Sequence, residues 1–407
     1  MKGTKYYALC IINFALLILL SGCIEEYEAD ISEEDSDLLV VEGTICSGKW
    51  NIFTLTRTQA IRSDEPLNSD MNAYYNYIKP RTVTGASVSV HGSDGTEYRA
   101  QQMSGYYSCW VGDLSPDVEY YLHIEADGEV YESEPQKPLR TEEIADVIGV
   151  QNTPENSIDV LVTPAAPSDP NKTHYYSWTY EETWEVLPEY RTNMYYDLAL
   201  NKGIFKMHQF PERGWKSATG TTLVATSVSY EGQHIRRVKL YDIDRGDERM
   251  YFKYSGLVQQ RAISKAEYEY FLAQRQAASE MGGLFTPLPS ALPTNIHCLT
   301  SNKHVIGFVG CSLNTSKYRF FLKPTDYSID RPYPKDARLW LNDCDEYTCY
   351  RMVTKEGMYL CEWKDERYQP NGTLQTAWAY DYQLDVRLKG ASDVEPDFWS
   401  LDENISY

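Results

Sequence analysis

Between Leu38 and Arg140 short apolar runs alternate with glycine- and aspartate-bearing turns, and this pattern limits the fold more than any other feature. Trp50-Asn51-Ile52-Phe53-Thr54-Leu55-Thr56-Arg57 alternates residue by residue, which sends one row of side chains inward from a strand. Leu38 to Ile45, Gly85 to Val90, Glu97 to Ala100, Gly105 to Trp110, Glu119 to Ala126 and Val130 to Ser133 read as further strands. Ser93-Asp94-Gly95 and Asp127-Gly128 supply residues that tolerate positive φ, as tight hairpins require. Several short strands at this spacing predict a β-sandwich of immunoglobulin-like or transthyretin-like type over residues 38–140.

Residues 141–407 predict a larger β-rich region carrying one helix. Ile158 to Val162, Tyr175 to Val186, Gly220 to Ser229, Ile235 to Asp242, Met250 to Gln259, Val305 to Gly310 and Ser316 to Leu322 are its strand candidates. Ser264-Lys265-Ala266-Glu267 is a capping-box pattern, with Ser264 at the N-cap and Glu267 three residues on. It opens a helix over about 265–280 that Gly282 or Gly283 would close, with Tyr268, Phe271 and Leu272 expected against a sheet. Beyond Pro324 the chain is rich in turns and yields no clear pattern.

The first 22 residues hold Lys2, Lys5 and an apolar stretch from Tyr6 to Leu20, short for a membrane span and suited to a signal peptide. It ends in Leu20-Ser21-Gly22-Cys23, which resembles the bacterial lipobox: cleavage between Gly22 and Cys23, then a lipid anchor of the palmitate kind on Cys23. The alternatives are an ordinary signal peptide with a chance cysteine, or an uncleaved anchor. Residues 23–37 are strongly acidic. They read as a solvated tether, and they resemble the export signal that sends Bacteroidetes lipoproteins to the outer leaflet; the periplasmic face is the alternative.

The whole chain has 38 Lys+Arg against 59 Asp+Glu, a formal charge of -21. That balance argues against nucleic acid and favours cationic ligands, although solubility alone also accounts for it. Seven cysteines remain after Cys10 and Cys23, an odd number in an exported protein, so disulfides are permitted and at least one thiol is left over. Cys344, Cys349 and Cys361 lack a nearby histidine and zinc-like spacing, so a disulfide or buried thiols are expected rather than a metal.

No catalytic motif is present, and the seven histidines are scattered. His297 and Cys298 are adjacent, which on a strand turns them to opposite faces. Asp242-Ile243-Asp244-Arg245-Gly246-Asp247 loosely resembles a calcium loop but lacks the distal glutamate, so a solvated turn is expected. Neither metal nor cofactor is implied. The 34 tyrosines suit half-buried strands. Tyr74, Tyr75 and Tyr77 in the long 64–80 loop, and Tyr195 and Tyr196 in the irregular middle, are the candidate ligand contacts for a peptide or glycan.

The order of features resembles the Bacteroidetes lipoprotein family DUF4249. The residues that carry the likeness are Leu39-Val40-Val41-Glu42-Gly43, Thr84-Gly85-Ala86-Ser87-Val88, the Asp127-Gly128…Tyr131 region, Ile263-Ser264…Tyr268…Gln274…Gly282-Gly283-Leu284-Phe285-Thr286-Pro287-Leu288-Pro289-Ser290, Asn295-Ile296, Ile306-Gly307-Phe308 and Pro396-Asp397-Phe398-Trp399. The resemblance implies a lipid-anchored protein working beside a TonB-dependent outer-membrane receptor in nutrient uptake. The expectation is therefore a non-enzymatic, surface-exposed outer-membrane lipoprotein that binds a nutrient or peptide. An adhesin or structural envelope protein is the alternative, followed by a hydrolase with an unfamiliar site.

Overall fold

The computed structural model describes residues 37–58, 81–166, 174–205, 210–227, 237–279, 292–332, 336–401 and 405–406. Gly22, Cys23, Tyr74, Tyr75 and Tyr77 lie outside them. The chain divides into two units. In the smaller, the Arg57 guanidinium donates to the Asp37 carbonyl at 2.8 Å, and Arg81 pairs with the Asp37 carboxylate at 3.0 Å.

The larger unit, residues 39–56 and 82–407, is mainly β. One sheet runs Val305–Ser312, Leu39–Cys46, Lys49–Arg57, Tyr107–Val111, Gln101–Gln102. A second runs Ile296–Cys298, Glu129–Ser133, Tyr120–Ala126, Ser87–Gly92, Glu97–Arg99. Both turn their alternate residues into one core: Leu39, Val41, Phe53 and Leu55 meet Val88, Leu122, Ile124 and Tyr131. This is the expected sandwich. The Asp127-Gly128 hairpin has φ of 53° and 80°, the paired positive values of a type I′ turn.

That sandwich is not built from residues 38–140 alone. Two of its strands, Ile296–Cys298 and Val305–Ser312, come from far downstream, so the chain crosses the expected boundary at residue 140 and later returns. Val305–Ser312 pairs parallel with Leu39–Cys46 along its whole length, from Leu39↔Val305 to Cys46↔Ser312. All eight of its residues are buried, as a parallel strand covered on both faces should be, and its Val-Ile-Gly-Phe-Val-Gly-Cys run fits. Gly307 makes the pairing possible. Its φ is 129°, and a Cβ there would lie 2.0 Å from the Val41 carbonyl oxygen.

Between leaving and rejoining the first sandwich, the chain builds most of a second. One sheet runs Gly214–Ser227, Tyr175–Val186, Tyr254–Ile263, Ser316–Leu322, Ile405–Ser406; it faces Ile144–Val150, Ile158–Pro164, Val238–Ile243. Their shared core includes Tyr176, Trp178, Val258 and Phe320 against Val147, Val160 and Ile243. The turn-rich end forms a three-stranded sheet, Leu339–Asn342, Leu374–Ala379, Tyr359–Asp365, with a helix at Glu346–Thr354. Cys344 and Cys349 form a disulfide across the start of that helix, which Asp345 caps. Cys46, Cys109, Cys298, Cys311 and Cys361 are free.

The anticipated helix, α1, spans Lys265–Ser279. Ser264 Oγ accepts from the Glu267 N–H at 3.1 Å, as an N-cap should. The other half of the expected capping box is absent: Glu267 instead grips Arg261 through Nη2–Oε1 at 2.5 Å and Nη1–Oε2 at 3.2 Å. Tertiary attraction to a buried guanidinium thus replaces the local bond to the cap. The inward face is correspondingly rotated: Tyr270 is buried, while Tyr268, Phe271 and Leu272 are half-buried. Among the described residues no helix is long and apolar enough to cross a membrane.

Two stability tests follow. Gly307→Ala should cost about 3 kcal/mol or more, by strain and by collision with the Val41 carbonyl; urea unfolding measures it, and a loss under 1 kcal/mol would contradict the geometry. Glu267→Leu alone should cost about 3–5 kcal/mol by orphaning Arg261, whereas Glu267→Leu with Arg261→Met should recover much of that loss. Additive losses in the double mutant would show that the two side chains are not coupled.

Candidate functional site

Three walls meet over a cleft of about 370 Å³. The outer face of the first sandwich contributes Glu42 and Thr44, whose register partners are Phe308 and Gly310. The outer face of the second contributes Ser177 and Thr179, opposite Arg261 and Gln259. These residues alternate with Tyr176, Trp178, Val258 and Ala262, which point the other way into the second core. Helix α1 contributes Glu267, Tyr270, Phe271 and Gln274, the i, i+3, i+4, i+7 face of one helix.

The Arg261–Glu267 pair forms part of this lining. Burial alone would weaken the Arg261 charge; the Glu267 carboxylate more than offsets that, and the guanidinium is held above its ordinary range. Gly310 lets strand and pair approach, since a Cβ there would sit 2.6 Å from a Glu267 oxygen and 2.8 Å from Arg261 Nη1. Aromatic rings form the apolar wall: Tyr270 and Phe308 have centroids 5.8 Å apart, Tyr270 and Phe271 5.6 Å. Burial first, and then the charge of Glu42, push the Tyr270 hydroxyl up to about 12, so it keeps its proton and can donate.

Among the described residues, the side chains of Glu42, Thr44, Ser177, Thr179, Gln259 and Gln274 and the Tyr270 hydroxyl make no hydrogen bond or ion pair with another residue. Ser177 is only 4% exposed. Convergence of so many unmatched donors and acceptors beside aromatic faces is what a small-molecule site presents. A larger recess, about 440 Å³ beside Pro188, Arg191 and Phe210, is built differently. Its Thr192 hydroxyl is already committed to the Leu360 carbonyl at 2.5 Å, and Glu212 also has a partner.

Of the tyrosines singled out from sequence, the two that are described, Tyr195 and Tyr196, do not line the cleft. Tyr196 is buried in the core of the C-terminal module, with centroids 5.9 Å from Trp363 and 6.1 Å from Trp378, so its ring is used in packing. Tyr195 is half-buried, its hydroxyl 3.5 Å from Asp197; both line a shallow recess of about 290 Å³. His297 reaches Glu134 at 3.2 Å while Cys298 Sγ lies 3.1 Å from Ser301 Oγ. In the acidic loop, Asp247 caps a short 3-10 turn and holds Arg249, and Asp242 pairs with Lys239. No group of three potential metal ligands occurs among the described residues. The signal that could have found the cleft is Gln259-Gln260-Arg261 inside an otherwise apolar strand. Gln260 is matched internally, to Trp178 and the Glu142 carbonyl, while Gln259 is not.

No curated protein matches the chain. A solved structure that does match is the native conformation of E. coli alpha-2-macroglobulin, at 11% identity and a TM-score of 0.17, covering 57% of this chain and 13% of that one. A likeness so slight carries no argument. The sequence model described as "Domain of unknown function (DUF4249)" matches residues 24–318, beginning just after Cys23 and ending before the Pro396-Asp397-Phe398-Trp399 motif. It takes in both sheets of the first sandwich, α1 and every wall of the cleft, and the chain accordingly belongs to the DUF4249 family.

Proposed function

We propose that this chain is a non-enzymatic binding protein, anchored in the outer membrane by a lipid on Cys23 and facing the cell exterior. It holds a nutrient or peptide in the cleft under α1 for a TonB-dependent transporter. The observation that carries the binding role is the ring of polar side chains around an aromatic wall, seven groups that open to the cleft and make no bond to another described residue. The lipobox-like Leu20-Ser21-Gly22-Cys23 and the acidic run after it support the anchor and its orientation. A preformed cleft on rigid strands binds without ordering a loop, so little entropy is lost on capture.

A second reading, an adhesin or envelope protein, has one specific feature in its favour. Trp50, Ile52 and Trp110 are 59%, 55% and 51% exposed on one sheet face, with the two indoles 5.8 Å apart. Exposed apolar groups clustered this way often mark a contact surface.

Expression of the full chain in a Gram-negative host with radiolabelled palmitate should label the protein, and Cys23→Ala should abolish the label. A labelled Cys23→Ala variant would remove the anchor assignment. Affinity purification of the tagged chain from outer membranes of its native host should recover a β-barrel receptor. Recovery of the chain without any barrel would overturn the transport role and leave the adhesin reading.

A further inference from the structure

The cleft carries one charge that folding does not use. Its lining holds two carboxylates and one guanidinium. Glu267 and Arg261 neutralise each other through two hydrogen bonds. Glu42 meets no cation among the described residues. Lys265, at the start of α1, is engaged with Glu269 at 3.4 Å. What remains is a single carboxylate at the mouth of a site floored by a neutral pair and walled by aromatic rings.

We propose that the cleft recognises a short peptide bearing an amine or guanidinium group, whose cation is met by Glu42. The proposal rests on the reading of the cleft as a binding site. The Gln259 and Gln274 side-chain amides each carry a donor and an acceptor, the same pair a peptide unit presents. Aromatic faces stabilise a nearby cation and also accept an apolar side chain. The chain's charge of -21 raises the local concentration of cations and disfavours anions. A neutral sugar could use the amides and hydroxyls but would leave the Glu42 charge idle.

Calorimetry on the full chain in detergent tests this with three probes: Gly-Phe-Lys amide, the same peptide with both amino groups acetylated, and maltotriose. Gly-Phe-Lys amide should bind. Acetylation, or Glu42→Gln, should each weaken binding by about tenfold or more, the value of a hydrogen bond to a charged group. Added salt should weaken wild-type binding more than that of Glu42→Gln. Glu42 is exposed, so the variant should keep its fold, and circular dichroism verifies it. Thr179→Trp, at another exposed position, should fill the cleft and abolish binding. If the acetylated peptide or maltotriose binds as tightly as the free peptide, the charge assignment is overturned while the cleft stands. If Thr179→Trp leaves peptide binding unchanged, the cleft reading fails as well. Absence of binding by Gly-Phe-Lys amide overturns the proposal.

Discussion

The parallel pairing of Leu39–Cys46 with Val305–Ser312 is the constraint from which the rest follows. It ties Leu39–Cys46 to a strand more than 250 residues later, so the strand that completes the first sandwich follows most of the second along the chain. Loop closure over such a distance is unfavourable, although its cost grows only logarithmically with length. The compensation is a strand buried on both faces, with Val305 and Val309 in one core and Phe308 against α1. Gly307 is the sequence position at which this arrangement is most exposed to failure.

The same pairing creates the cleft. It sets the outward face of the first sandwich, Glu42 and Thr44, near the outward face of the second, Ser177, Thr179 and Gln259. The Arg261–Glu267 pair then fixes α1 as the third wall. A buried ion pair is weak evidence for stability, because desolvation opposes it, but it fixes orientation. Here it selects which face of the helix looks into the cleft. Glu267, Tyr270 and Gln274 face inward, and a helix turned to bury Tyr268 and Leu272 would present a different surface.

Much of the fold was legible in the sequence because strand alternation and turn residues act locally. Tyr175–Val186 falls where its aromatic run places it, Asp127-Gly128 turns as its residue types require, and Ser264 caps α1. What the sequence conceals is non-local. Nothing within Val305-Ile306-Gly307-Phe308 names Leu39–Cys46 as its neighbour, and Ile296–Cys298 is too short to show a period. The C-terminal strands are masked by turn residues and held by the Cys344–Cys349 bridge and a core around Trp378. The site is concealed for the same reason. Tyrosine is conspicuous, yet Tyr196 is spent on packing, while the unmatched Gln259, Gln274 and Ser177 come from separate elements and converge only in three dimensions.

The central claim is that these unmatched groups exist for a ligand. A crystal structure of the protein grown with Gly-Phe-Lys amide tests it most directly. The account predicts ordered peptide density in the cleft, with the lysine or terminal amine at Glu42 and peptide groups on the Gln259 and Gln274 amides. A structure in which those amides bond to each other or to neighbouring protein groups, with the peptide absent or bound elsewhere, would contradict it.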